Sequence, residues 1–255
     1  MQADSSKYLM PGAVIIAALL IVGAIVYDGH SSSADGNMLQ RENGAQTTGQ
    51  QAAAAQQQGN QNQTGLTPSA SDISQVNTNE GDPQIGSPSA PVVIAYWSDY
   101  QCPFCKQFDQ GSLSQIYTNY VQTGKVRVVF KDFQFLGPDS MTAALIARAI
   151  WQYYPDKYYQ WRVAMFNAQD EENSGFGDQQ SVLALTKTIS GIDVNTITKA
   201  VTDNQATYTA AINRDKDEGS KMQVNGTPGI IVGKDRFAGA VPYSQISQVI
   251  DQLLK

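Results

Sequence analysis

The stretch YWSDYQCPFCKQF, residues 96–108, contains the only two cysteines among the 255 residues of the chain. Cys102 and Cys105 form a C-x-x-C motif directly after the apolar run PVVIAYW, residues 91–97. A short, continuous run that is rich in β-branched residues predicts a buried strand. The motif therefore lies where this strand gives way to the next segment.

The segments that follow predict a βαβ unit. Apolar side chains recur at mostly helical spacings after the motif, which indicates an amphipathic helix that ends near residue 123. These side chains are Phe104, Phe108, Ile116 and Tyr120. KVRVVFKDF, residues 125–133, then predicts a second strand. The two cysteines are therefore predicted to lie at a strand-to-helix junction.

Residues 138–222 predict a helical block, because their apolar residues have helical periodicity. The predicted helices cover MTAALIARAIWQYY (141–154), KYYQWRVAMFNAQ (157–169), QQSVLALTKTIS (179–190) and a segment led by Asp193, from about 194 to 217. The chain then returns to strands at 229–233 and 236–241, and a last amphipathic helix begins after Pro242. This order predicts an α/β fold in which the helical block is inserted between strands of one sheet.

The N-terminal stretch 9–27, LMPGAVIIAALLIVGAIVY, is uncharged and long enough to cross a bilayer core as a helix. We predict a membrane anchor over residues 1–28, and Lys7 favours an orientation with the N-terminus inside. Two alternatives remain open. The stretch is either a cleaved signal peptide, with a small-residue site at Ser32-Ser33-Ala34, or a buried core helix.

Residues 28–95 contain no aromatic residue, and glutamine is frequent between residues 40 and 63. Such a segment buries too little apolar surface to offset the entropy lost on ordering. We therefore predict a disordered, Gln-rich linker over residues 29–82, with a Gln-rich helix as the alternative. The folded domain is predicted to span residues 83–255.

The charge of the chain argues against one class of partner. The formal net charge is -6, and no basic run interrupts the sequence. Nucleic-acid binding depends on basic patches that neutralise phosphates. We therefore expect no nucleic-acid partner, and with no dedicated dimerisation segment we expect a monomer.

The C-x-x-C motif fits redox chemistry better than its rivals. Structural zinc needs four ligands, whereas the only histidine of the chain is His30 in the predicted linker. Covalent haem attachment would need a histidine after Cys105, where the chain has Lys106. A purely structural disulfide across two residues would constrain the unfolded chain very little. We expect neither a metal nor a cofactor.

The position of the motif suggests different roles for the two thiols. The thiolate is the nucleophilic form, and at a helix start Cys102 faces unpaired N–H groups and the positive end of the helix dipole. Cys105 lies about one turn later on the same face. Pro103 occupies a first-turn position, where its missing N–H has no consequence. We expect Cys102 to be the exposed nucleophile and Cys105 the resolving thiol.

These motifs resemble a known family. W-S-D-Y-Q-C-P-F-C, then K-D-F, a helical insert, and V-N-G-T-P-G-I-I-V-G are similar to the thioredoxin fold. They resemble more closely the bacterial, membrane-anchored thiol:disulfide oxidoreductases of the DsbA/BdbD type, over residues 83–255. One departure is Trp97, where the family often has phenylalanine. The resemblance implies an α/β thioredoxin fold with a mixed sheet and a helical insertion over about 138–222.

The resemblance also implies further site residues. It implies a cis peptide bond between Thr227 and Pro228, packed against the cysteines, although an ordinary trans turn is the alternative. The exposed backbone of Thr227 would then pair with a substrate segment as an extra strand. Pro103, Phe104 and Asp99 are candidates for tuning the redox pair. Asp99 could equally cap the helix or be solvated.

The predicted function is thiol–disulfide exchange outside the cytoplasm, in a domain attached to the cell membrane by one span. The substrates would be reduced or unfolded exported proteins. The family resemblance favours an oxidase, whose cysteine pair a quinone-linked membrane partner reoxidises. The alternatives are a reductase or isomerase of the same fold, and a non-enzymatic, membrane-tethered chaperone that binds segments beside Thr227 and Pro228.

Overall fold

The computed structural model describes residues 67–68, 72–78 and 81–255. The predicted anchor over residues 1–28 and most of the predicted linker over residues 29–82 lie outside these residues. Within the described ranges, no helix combines the length and the apolar character that crossing a bilayer requires.

The described residues form a six-stranded mixed sheet. The strands are β1 (Thr67–Pro68), β2 (Gln84–Ile85), β3 (Val92–Ser98), β4 (Val126–Asp132), β5 (Gly229–Val232) and β6 (Asp235–Ala238). Their order across the sheet is β1-β6-β5-β3-β4-β2. β3 and β4 are parallel, and the other neighbouring strands are antiparallel. The prediction that strands from both ends of the domain join one sheet is therefore confirmed.

Helices cover the sheet, and they follow the predicted order. They are α1 (103–121), α2 (Pro138–Tyr153), α3 (Tyr158–Ala168), α4 (Gln179–Lys187), α5 (Val194–Lys221) and α6 (Tyr243–Leu253). The four helices α2 to α5 lie between β4 and β5, as predicted. α1 contains two π-helical turns, Asp109–Leu113 and Tyr117–Val121, which the apolar spacing alone did not predict.

β3 lies in the middle of the sheet, between β5 and β4, and both of its faces are buried. Ile94 and Tyr96 point into the larger core, which contains residues of α1 to α6. Ala95 and Trp97 point to the opposite face and pack in a smaller core. This alternation has the two-residue period of a strand, and the nearly continuous apolar run is typical of a strand covered on both sides.

The tryptophan that departs from the family pattern is accommodated by α5. The indole N–H of Trp97 donates a hydrogen bond of 2.9 Å to the carbonyl oxygen of Asp215. A Cβ atom at Gly219 would lie 2.8 Å from that indole nitrogen, closer than packed side chains approach. The absence of a side chain at Gly219 therefore lets α5 pack against the larger ring.

A buried ion-pair network joins β4 to α2, α5 and the segment before β2. Lys131 Nζ lies 2.6 Å from Asp82 Oδ2, and the Arg148 guanidinium lies 2.9 Å from Asp82 Oδ1. Arg148 also pairs with Asp132 and Asp215. Burial raises the pKa of Asp215 to about 6, against the lowering effect of Arg148. Such a network holds the elements in one arrangement, because breaking one pair leaves a buried charge unpaired.

The folded part begins earlier in the chain than the sequence predicted. Val76 packs in the smaller core, and the Ile73 amide donates to the Gly233 carbonyl oxygen at 2.8 Å. Asp82 belongs to the buried ion-pair network. The predicted linker over 29–82 therefore includes residues that the structure places in the fold. A few apolar contacts in a mostly polar segment give too weak a periodic signal to be recognised.

Candidate active site

The two cysteines lie where β3 leads into α1, as predicted. Cys102 is the residue before the first turn of α1, with Pro103 as the first helical residue. The Cys102 carbonyl oxygen accepts hydrogen bonds from the amides of Cys105 and Lys106 at 3.1 and 3.2 Å. The amides of Phe104 and Cys105, in this first turn, also interact with the Cys102 sulfur and stabilise negative charge there.

The two thiols are free and have opposite pKa shifts. The hydrogen bond from the Cys105 side chain, supported by the Cys105 and Phe104 amides and opposed by burial, lowers the pKa of Cys102 to about 6. Burial raises the pKa of the Cys105 thiol well above its usual value, and its bond to Cys102 raises it further. At neutral pH Cys102 is therefore the thiolate, and Cys105 keeps its proton.

The expectation that Cys102 is exposed is wrong. Cys102 is only 4% exposed and Cys105 is fully buried. The sulfur of Cys102 lies 3.3 Å from the Thr227 carbonyl oxygen, so the segment around Pro228 covers it. The resemblance implies this contact, although the two positions are 125 residues apart, but it does not indicate how completely the segment covers the sulfur.

The segment that covers the thiol contains the cis peptide bond that the resemblance implies. The bond between Thr227 and Pro228 is cis. The Pro228 carbonyl oxygen accepts a hydrogen bond of 2.8 Å from the Gly239 amide, which ties the segment to the chain just after β6. Thr227 also lines an open groove of about 360 Å³, together with Asn225 and Gly239. A groove therefore begins beside the residue that contacts the thiol.

Asp99 is buried, and its bonds fix the chain on both sides of the site. Asp99 Oδ1 accepts a hydrogen bond of 2.9 Å from the Gln101 amide. Asp99 Oδ2 accepts bonds from the Phe135 and Leu136 amides at 3.0 and 3.3 Å. The carboxylate is thus neither solvated nor bonded to the amides of α1. Its role in tuning the redox pair stays a prediction.

Phe104, between the two cysteines, projects into solvent. Its side chain is 59% exposed, so it does not belong to the buried face of α1 as its spacing suggested. The residues of that face are Cys105, Phe108, Leu113 and Ile116, which are all buried. Phe104 instead forms exposed apolar surface next to the thiol, and its effect on the redox pair stays a prediction.

A buried ion pair lies beneath the active-site helix. Asp109 follows Cys105 by four residues, so the two side chains share a helix face. Arg162 of α3 pairs with Asp109 at 2.8 Å, and the Tyr96 hydroxyl donates to Asp109 at 2.6 Å. Burial raises the pKa of Asp109. The four-residue spacing from Cys105 indicates that Asp109 lies on the same helix face, whereas nothing in the sequence connects Arg162 to the site.

Two glutamines, which the sequence analysis missed, also hold the junction. Gln169 Nε2 donates to the carbonyl oxygens of Tyr100 and Cys102, at 2.7 and 3.1 Å. Gln101 Nε2 donates to the Phe176 carbonyl oxygen, and Gln101 Oε1 accepts from the Asn173 amide, both at 3.1 Å. The helical block and its loop therefore contact the backbone on which Cys102 depends.

Among the residues that the structure describes, no group of three or more histidine, cysteine or acidic side chains is arranged to hold a metal ion. The chemistry that the arrangement supports is carried by its sulfur atoms. A stabilised thiolate beside a protonated thiol can open a disulfide and then resolve the mixed disulfide that forms.

The fold and the cysteine pair define a DsbA-like thioredoxin-fold oxidoreductase. The chain belongs to the thioredoxin family, because the family model described as Thioredoxin matches residues 78–252. Disulfide bond formation protein D of Bacillus subtilis is 26% identical over 176 residues, which cover 69% of this chain and 78% of that protein.

Two solved structures show the same fold. BdbD from Bacillus subtilis, in its oxidised form, matches with a TM-score of 0.64 and 24% identity, over 75% of this chain and 99% of that one. The thiol-disulfide exchange protein alpha-DsbA2 from Wolbachia pipientis matches with a TM-score of 0.60 and 27% identity. That match covers 68% of this chain and 87% of the Wolbachia chain. The predicted thioredoxin fold is therefore confirmed.

Proposed function

We propose that the protein is a dithiol oxidase that introduces disulfides into reduced, exported proteins. The proposal rests mainly on the contrast between the two thiols. Contacts with Cys105 and the first turn of α1 favour the thiolate of Cys102. A stabilised thiolate lowers the free energy of the reduced form and makes the disulfide a stronger oxidant.

The reaction begins with the Cys102–Cys105 disulfide. A substrate thiolate attacks Cys102 Sγ, and Cys105 leaves as a thiolate that takes up a proton. A second substrate thiolate then attacks the substrate sulfur of the mixed disulfide, and Cys102 leaves as the stabilised thiolate. The substrate loses two electrons and gains a disulfide, while the cysteine pair becomes a dithiol. Attack falls on Cys102 because its sulfur is the more accessible of the two, whereas Cys105 is fully buried.

Substrate docking is proposed at Thr227 and Pro228. The Thr227 carbonyl oxygen lies next to the Cys102 sulfur, and the groove beside it is open. An extended segment that pairs with the Thr227 backbone would bring its cysteine to Cys102 in the manner of an added strand. Because so little of the Cys102 sulfur is exposed, an extended substrate segment can reach it more easily than the surface of a folded protein can.

The reduction potential of the cysteine pair tests the oxidase proposal. We expect equilibration of the described domain in glutathione buffers to give a value toward about -120 mV, the range of strong dithiol oxidases. The oxidised protein should also form disulfides in a reduced, unfolded substrate. A potential of about -270 mV would instead identify a reductase. Substrate holding that survives in the Cys102→Ala/Cys105→Ala double variant, without exchange in the wild type, would identify a chaperone.

We propose that the catalytic domain lies outside the cytoplasm, anchored to the cell membrane by residues 9–27. The apolar, uncharged sequence of that stretch supports the anchor. The protein from membrane fractions should resist extraction by alkaline carbonate and retain its own N-terminus. A mature N-terminus near Ala34, in a protein that alkaline carbonate releases, would identify a cleaved signal peptide.

A further inference from the structure

Gln169, in the helical block, forms hydrogen bonds with the segment that carries the cysteine motif. It directly follows α3 and is 4% exposed. Its side-chain amide donates to the carbonyl oxygens of Tyr100 and Cys102, at 2.7 and 3.1 Å. Its own carbonyl oxygen accepts a bond of 2.6 Å from Lys106 Nζ. Gln169 therefore contacts the residues before and after the motif as well as Cys102 itself.

We propose that Gln169 is a positioning residue that stabilises the Cys102 thiolate by holding the Cys102 carbonyl group. This inference deepens the proposed function and rests on it. The residue does not touch the sulfur or the substrate, so it acts only through the backbone of the residue that does.

The physical argument concerns the dipole of the carbonyl group. The Cys102 carbonyl oxygen carries partial negative charge within the same residue as the thiolate. Three donors compensate this charge: the Cys105 and Lys106 amides and Gln169 Nε2. Removing one donor leaves more negative potential near the sulfur, which favours the thiol over the thiolate. The second bond, to Tyr100, fixes the backbone that leads into Cys102.

The hydrogen-bond pattern of the side chain supports a role as a donor. Gln169 Nε2 donates two hydrogen bonds, one to each carbonyl oxygen. Gln169 Oε1, by contrast, is buried with no hydrogen-bond partner among the described residues. A buried, unpaired acceptor is unfavourable in itself. The contribution of this glutamine therefore comes from its two donors. A leucine removes these donors, and a glutamate replaces them with acceptors.

The test is a titration of the Cys102 thiolate in the reduced domain, followed by ultraviolet absorbance and by alkylation rate. The wild-type midpoint is expected at about 6. In Gln169→Glu the midpoint should rise by about one pH unit, so that alkylation at pH 6 slows about fivefold. Gln169→Leu should move it in the same direction by a smaller amount. The reduction potential should become more negative in both variants, because the reduced form is less stabilised.

Gln110→Leu provides the matched control. Gln110 also joins α1 to the helical block, through a bond of 3.0 Å from its Nε2 to Asn167 Oδ1, but it does so at the surface. Its removal should leave the midpoint unchanged. An unchanged midpoint in folded Gln169→Glu, or an equal shift in Gln110→Leu, would overturn the inference. If Gln169→Leu fails to fold, the nearly isosteric Gln169→Glu decides.

The titration is independent of the oxidase test. A wild-type protein with a midpoint near 6 that forms no substrate disulfides would contradict the proposed function only. A shifted midpoint in Gln169→Glu would still support the positioning role in that case. An active oxidase whose midpoint does not respond to Gln169 would contradict the positioning role only.

Discussion

Cys102→Ala is expected to abolish disulfide exchange, whereas Cys105→Ala is expected to leave one step intact and to trap mixed disulfides on Cys102. Loss of the reacting sulfur should lower the exchange rate by roughly three orders of magnitude or more, as removal of an enzyme nucleophile does. Without Cys105, Cys102 can still attack a disulfide, but no neighbouring thiol resolves the product. Non-reducing electrophoresis after an acid quench, with a disulfide-containing peptide, measures both effects.

The same pair of variants tests the cause of the thiolate. The hydrogen bond from Cys105 is the largest contribution to the lowered pKa of Cys102. The pKa of Cys102 should therefore rise in Cys105→Ala, and alkylation should become slower at pH 6 than in the reduced wild type. The double variant is the control for background reaction. Exchange that survives in Cys102→Ala and is lost in Cys105→Ala would reverse the assigned roles.

Arg162→Met is expected to destabilise the protein by about 3–5 kcal/mol, the usual effect of leaving one buried charge unpaired. Asp109 would keep its carboxylate in the interior without the cation that now lies 2.8 Å away. The Arg162 guanidinium also faces four aromatic rings. Its central carbon, Cζ, lies 4.3 Å from the centre of the Phe130 ring. Urea unfolding of the oxidised protein gives the free energy of unfolding for each variant.

The double variant Asp109→Leu/Arg162→Met separates the charge from the packing. Because it removes both charges, it should recover much of the loss, as apolar replacements of buried ion pairs often do. Lys199→Ala is the control, since Lys199 pairs with Asp203 on the exposed surface of α5 and such pairs contribute little. A single variant at Arg162 that behaves like Lys199→Ala would show that the ion pair is not a stabilising element.

The sequence predicted the parts of the fold that local patterns determine. The apolar run before the cysteines became β3, and the helical periodicities became α2 to α5. Asp193 accepts a hydrogen bond from the Asn195 amide at the start of α5, as expected of a residue that begins a helix. Cys102, Cys105, Thr227 and Pro228 lie together in the structure, because the motifs place them at strand ends that one sheet brings side by side.

The remaining features depend on contacts between distant positions. Arg162 lies in α3 and binds Asp109, and Gln169 directly follows α3 and binds the Cys102 carbonyl oxygen. Each lies more than fifty residues after its partner in the chain. Neither belongs to a motif, and each looks like an ordinary polar residue in an amphipathic helix. The resemblance implies that the segment around Thr227 and Pro228 packs against Cys102, but the near-complete burial of that sulfur is evident only in the structure. These contacts depend on how the folded elements pack against one another, which the periodicity of apolar residues does not indicate.

The contribution of α3 to the redox centre has an evolutionary consequence. The cysteines belong to the segment after β3, whereas the cation beneath them and the amide beside them belong to the block between β4 and β5. A recombination event that exchanged this block for that of a distant relative would separate Asp109 from Arg162 and remove the side-chain donor to the Tyr100 and Cys102 carbonyl groups. The boundaries at β4 and β5 therefore make poor crossover points, and the sheet and its helical block are expected to be inherited as one unit.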